Sequence, residues 1–158
     1  MSSNYDLDFK YNKELKCFDI HFDDTGGDLV YTEGLNTAFG ISLLECRRAD
    51  ESVIPKAGDR GGWLGNEILG FTDYEIGSLM YLVYQGRINI DSLNKGITYL
   101  YECLSWMIED DIFYKILVSH NNDTIEPIYT IKMYVSKNIL LTYNINLLTY
   151  TYEEVITG

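Results

Sequence analysis

Basic residues are scarce: 12 Lys and Arg face 24 Asp and Glu, a formal net charge of −12. A nucleic-acid binder needs a cationic face and a polybasic membrane anchor needs clustered Lys or Arg, so both classes are excluded. No apolar run approaches the roughly 20 residues of a membrane-spanning helix. Met1 to Lys10 carries no apolar stretch of the signal-peptide kind, so export by that route is not expected. Histidine is limited to His21 and His120, too few and too distant in sequence for a zinc site. Cys17, Cys46 and Cys103 are widely spaced and form no CxxC pair. Free thiols in a reducing compartment are therefore expected. The GxSxG elbow of the esterases is missing. The stretch Gly58-Asp-Arg-Gly-Gly-Trp-Leu-Gly65 has the glycines of a phosphate loop, but neither its lysine nor a preceding strand.

What is present is apolar and aromatic. Hydrophobic residues make up 46% of the 158 residues, with 14 Tyr, 6 Phe and 2 Trp, enough to build a core without a metal or disulfide. The acids gather at the front and middle, and the tail is nearly neutral and rich in Tyr, Ile and Leu. Neither an internal repeat nor a low-complexity linker interrupts the chain. Residues 17–158 read as one domain, preceded by an arm, 1–16, in which Tyr5, Leu7, Phe9 and Tyr11 alternate with polar groups.

The pattern is that of an α+β fold: an N-terminal β-hairpin, about three helices, and C-terminal antiparallel strands. Phe18, Ile20 and Phe22 alternate with polar residues, Asp23 to Gly27 turns the chain, and Leu29 to Thr32 returns. A helix is expected over about 36–48, with Arg47 and Arg48 favouring its C-terminal dipole. A second is expected from the capping box Thr72-Asp-Tyr-Glu75, with Ile76, Leu79, Met80 and Val83 on one face and Gly86 closing it. The strongest pattern starts at Asp91: Leu93, Ile97, Leu100, Tyr101, Leu104, Met107 and Ile108 recur at helical spacing. It ends in Glu109, Asp110 and Asp111, which oppose the macrodipole and are either solvated or neutralised by Arg or Lys of this chain or a partner. Period two then takes over. Ile112 to Val118 reads as a strand covered on both faces, and Tyr129 to Val135 as the next. Ile139 to Tyr152 reads as one long uncharged edge strand whose phase slips after Leu148.

Three stretches bear on function. Asp23, Asp24 and Asp28, with Glu33, could hold a divalent metal for hydrolysis, although the order and terminal Glu of a calcium loop are missing. The loop Arg60-Gly61-Gly62-Trp63-Leu64-Gly65 joins an Arg and a Trp, types that dominate protein interfaces, to glycines that allow close backbone approach. Trp63 plugging its own core while Arg60 pairs a nearby acid is the structural alternative. The tail strand, with Tyr143, Ile145, Leu147, Tyr150 and Tyr152, is an edge built to have another chain added to it. An acidic module mimicking nucleic acid ranks low, because the acids of the long helix sit at its end. No catalytic residues and no cofactor are expected.

The order of motifs resembles a known family. Gly34-Leu-Asn-Thr37, Leu43-Leu-Glu-Cys-Arg-Arg48, Asp59-Arg-Gly-Gly-Trp-Leu-Gly-Asn66, Gly77-Ser-Leu-Met-Tyr-Leu82 and Leu104-Ser-Trp-Met-Ile-Glu-Asp110 follow one another as in the small baseplate-wedge proteins of Mu-like contractile phages. That family is akin to the small wedge subunit, or sheath initiator, of T-even phages. The likeness covers roughly residues 17–136. Departures fall at Gly61, Leu64, Asn66, Leu79, Met80 and Tyr81, and at Ile128, where the T-even type has an Arg after the Glu126-Pro127 pair. The resemblance implies a non-enzymatic subunit of the virion tail baseplate, assembled in the host cytoplasm and using a handshake-like sheet. It implies as partners larger wedge subunits, the tail sheath protein and the central spike or hub, with about six copies in a ring. It also adds Glu126 and Pro127 to the partner-binding candidates.

Overall fold

The computed structural model describes residues 5–7, 9–12, 17–20, 31–33, 36–54, 60–62, 75–135, 138–149 and 151–155. The described elements are β1 (Tyr5–Leu7), β2 (Phe9–Asn12), β3 (Cys17–Ile20), β4 (Tyr31–Glu33), α1 (Asn36–Leu44), α2 (Tyr81–Gln85), α3 (Ile90–Leu104), α4 (Trp106–Glu109), β5 (Lys115–His120), β6 (Ile128–Val135), β7 (Asn138–Asn146) and β8 (Thr151–Glu154). The fold is α+β. Its contacts divide within α1, into Met1–Ile41 and Ser42–Gly158.

In the first unit β3 forms as its alternation predicts, but its partner differs. Phe9–Asn12 pairs with Cys17–Ile20, and Tyr5–Leu7 pairs with Tyr31–Glu33. Residues 21–30, with the turn of the expected 17–22/29–32 hairpin, lie outside the described residues, and its described parts, 17–20 and 31–32, pair with 9–12 and 5–7 instead of with each other. The alternating Tyr5, Leu7, Phe9 and Tyr11 supply the partner strands, and Asn12 and Cys17 are separated by only four residues, a short closure.

In the second unit four antiparallel strands lie in the order β5-β6-β7-β8. The register runs Ile116↔Met133, Val118↔Ile131 and His120↔Tyr129 across β5/β6. It continues Met133↔Leu141, Ile131↔Tyr143 and Tyr129↔Ile145 across β6/β7, with an irregularity at Met133/Tyr134. One face is therefore apolar, and Ile116, Tyr129, Ile131, Met133, Tyr143 and Ile145 are buried there. From α3 and α4 the buried residues are Leu93, Gly96, Leu100, Cys103, Leu104 and Met107. Helix and sheet meet at Gly96: a Cβ there would lie 2.1 Å from the Tyr129 hydroxyl, which donates to the Leu93 carbonyl at 2.9 Å. Only glycine lets Tyr129 lie so close beneath the helix.

The long helix begins one residue before its expected start. Asn89 caps it, accepting from the Ser92 amide while the Ser92 hydroxyl accepts from the Asn89 amide. It breaks at Ser105, whose hydroxyl donates to the Glu102 carbonyl at 3.0 Å. The other two helices are shorter than expected, for a shared reason. Ser78 forms a parallel bridge with Cys46: its amide donates to the Glu45 carbonyl, and its own carbonyl accepts from the Arg47 amide. The Ser78 hydroxyl donates to the Leu43 carbonyl at 2.7 Å, satisfying the end of α1. Hence α1 stops at Leu44, and Arg47 pairs with Glu102 of α3 at 2.8 Å rather than sitting on the last turn of α1. Gly77 is at φ 108°, where a Cβ would strike the Glu45 carbonyl oxygen. Among the described residues helix therefore begins again at Tyr81, and the 72–74 part of the expected cap lies outside the described residues. Gly86 closes α2, as expected, in an extended conformation.

Two strand expectations are also corrected. β5 starts at Lys115, and Lys115, Leu117 and Ser119 are exposed, Leu117 at 42%, so its second face is open rather than covered. Ile139 to Tyr152 is not one edge strand. A turn at 147–149 folds β8 back, pairing Ile145 with Tyr152 and Asn146 with Thr151. The phase slip is this turn, and β7 lies inside the sheet, bonded on both sides.

Candidate functional site

Arg60 and its glycines fold onto their own chain. The Ala49 amide and the Tyr81 hydroxyl both donate to the Arg60 carbonyl, at 2.8 and 2.6 Å. The guanidinium donates to the Ala49 carbonyl at 2.7 Å and pairs with Glu51 at 3.2 Å. Gly61 and Gly62 are at φ 62° and 125°, against Tyr81 and Arg48 respectively. Both positions disfavour any Cβ-bearing residue. Behind them Ala49, Leu79 and Tyr81 form a small core joined by Cys46, Ile54, Leu82, Tyr84 and Tyr99. Burial there raises the Tyr84 hydroxyl to about 12, with the nearby Cys46 and Tyr81 adding to the effect. The Arg60 segment is thus a clasp between 49–51 and α2. Trp63 and Gly65 lie outside the described residues.

The strand candidates separate differently. Tyr143, Ile145 and Leu147 are 2%, 8% and 3% exposed, so their side chains fill the core and are withdrawn from any partner. With Leu43, Leu44, Met80, Leu100 and Asn146, the last two of them line a small apolar cleft. Tyr152 lies in β8, and Tyr150 is outside the described residues. Pro127 is buried, and its carbonyl accepts from the Leu147 amide at 3.1 Å; Glu126 is exposed. Among the described residues β5 pairs only with β6 and β8 only with β7, so these are the two edge strands of that sheet.

Asn121-Asn-Asp-Thr124 reads as a turn from sequence, but sequence reasoning assigned the loop 121–127 no functional role. The Asn121 carboxamide oxygen accepts from the Asp123 and Ile128 amides, and its nitrogen donates to the Glu126 carbonyl. Asp123 accepts from the Glu126 and Ile125 amides, bonds that hold its carboxyl below the usual carboxylate range. His120 Nδ1 accepts from the Asn122 amide, leaving Nε2 to donate to Asn94 at 3.1 Å. The Asn-Asn-Asp run signals such a turn, but not which side chain it leaves outward.

Among the described residues no three His, Cys, Asp or Glu could hold a metal, and no helix is long and apolar enough to cross a membrane. Asp23, Asp24 and Asp28 lie outside the described residues. None of the described residues sets an Arg or Lys against Glu109, Asp110 or Asp111, all of them exposed.

A family model described as "Phage protein GP46" matches residues 35–141. The chain is 33% identical over 84 residues to a protein of Escherichia phage Mu named "Baseplate protein gp46". That alignment takes in 52% of this chain and 56% of the Mu protein, so the chain spans about half the length of the curated relative it matches. No solved structure matches.

Proposed function

The chain belongs to the phage protein GP46 family, and on that premise we propose that it is a structural, non-catalytic subunit of a contractile-tail baseplate. Within the virion baseplate it acts as a wedge subunit that initiates the sheath, held by larger wedge proteins and present in several copies around the tail axis. The observation that carries the reading is the likeness to the Mu baseplate protein over 84 residues, beside a family match over 35–141 that includes α1, α2 and α3.

The sheet supports it in a changed form. β7 cannot lend itself to a sheath strand, since both its neighbours are in place. The outer edge of β5 can, and Lys115 is its single basic guard. The test is to delete the gene and to complement it with wild type or Leu117→Asp. Purified baseplates should contain the wild-type protein, the deletion should leave tail tubes without sheath, and Leu117→Asp should nucleate sheath poorly. Sheathed tails of normal length lacking this chain would overturn the proposal.

A further inference from the structure

At one end of the sheet two turns lie side by side, joined by the Leu147 amide donating to the Pro127 carbonyl. Each turn leaves one large aliphatic side chain in solvent: Ile125 is 79% exposed and Leu148 is 56% exposed. Single exposed hydrophobes are ordinary on any surface. These two differ in their mounting. The Asp123 carboxylate fixes the Ile125 and Glu126 amides, Asn121 braces the same loop from both sides, and Asn146 accepts from the Leu148 and Thr149 amides. Rigid loops lose little entropy on docking, so an aliphatic group held outward by them yields more net affinity than one on a loose loop.

The charges on the segments that carry them are of one sign. Asp123 and Glu126 are exposed beside Ile125, and the sequence holds no Lys or Arg over 116–131 or over 138–155. A complementary surface is therefore apolar with a cationic border. A second copy fits poorly, because its net charge is −12 and like-charged molecules repel. We propose that this end of the sheet is a preformed docking knob that seats Ile125 and Leu148 in an apolar cleft bordered by Lys or Arg on a different protein. The inference goes beyond the baseplate reading, because it selects the surface and the chemistry of what covers it.

A benzoylphenylalanine photocrosslinker at position 125, at 148, or at the exposed Thr98 of α3 tests it, using the full chain in cells that produce the native particle. Positions 125 and 148 should yield adducts with the same partner, at peptides containing Lys or Arg, and position 98 should not. Ile125→Asp and Leu148→Asp should each lower co-purification of that partner by about tenfold or more, with unchanged melting. Adducts no stronger than those from position 98, an adduct with a second copy, or undiminished co-purification of Ile125→Asp would overturn it. A partner that is absent from purified tails would instead sink the baseplate reading and leave the knob standing.

Discussion

Gly96 and Tyr129 make the tightest contact between helix and sheet, and it is one of volume. In Gly96→Ala the new methyl meets a buried hydroxyl with nowhere to go. Stability should fall by about 1–3 kcal/mol in chemical denaturation, even though alanine favours helix. Tyr129→Phe removes the atom nearest the methyl, so the double variant should lose less than the two single losses added together. Cys103 makes a second prediction. Burial pushes its thiol up to about 12, from an ordinary value of about 9. Between those values the unfolded chain has released the proton and the folded chain retains it, so stability falls as pH rises, by at most about 1.4 kcal/mol per unit. Tyr84, raised to about 12, acts in the same direction at the upper end of that window. Melting points between pH 9 and 12 should decline, and the decline should be shallower in Cys103→Ala.

At the scale of elements, what surrounds a segment outweighs its own periodicity. α3 has both a helical pattern and a reciprocal cap, so it starts within one residue of where the pattern does and breaks only at Ser105. Asn89→Ala should cost about 1 kcal/mol, read from denaturant midpoints. α1 and α2 have the pattern too, but Ser78 takes the backbone groups that would have extended them. Tyr81→Phe, which takes away one donor to the Arg60 carbonyl, should loosen the 49–51 clasp by about 1 kcal/mol and speed amide exchange at Ala49.

For the whole molecule the sheet order sets what can be removed. A chain ending at residue 138 loses β7, the partner of β6 along its length, and exposes the buried faces of Tyr129, Ile131 and Met133. It should fail to give a cooperative transition. Ending the chain at residue 150 removes only the four-residue outer strand β8. That shorter protein should still melt cooperatively, at a lower temperature, by circular dichroism. A truncation meant to abolish pairing with a neighbour must therefore spare β7.

Sequence alone determined the α+β class, the long helix with Leu93, Leu100 and Leu104 buried along it, the strand at 129–135 and the family, because local spacing and motif order carry these; Tyr101 of the same expected stripe is 45% exposed. Only tertiary structure decided that Phe9–Asn12 pairs with Cys17–Ile20, that Ser78 bridges to Cys46, and that Ile139 to Tyr152 folds back on itself. Each of those is a choice of backbone partner, and a backbone hydrogen bond leaves no mark on side-chain periodicity. The same reason explains the candidate surfaces. Arg60 and Tyr143 are the residue types of an interface, yet their bonds and burial turn them inward, and the aliphatic groups left outward are Ile125 and Leu148.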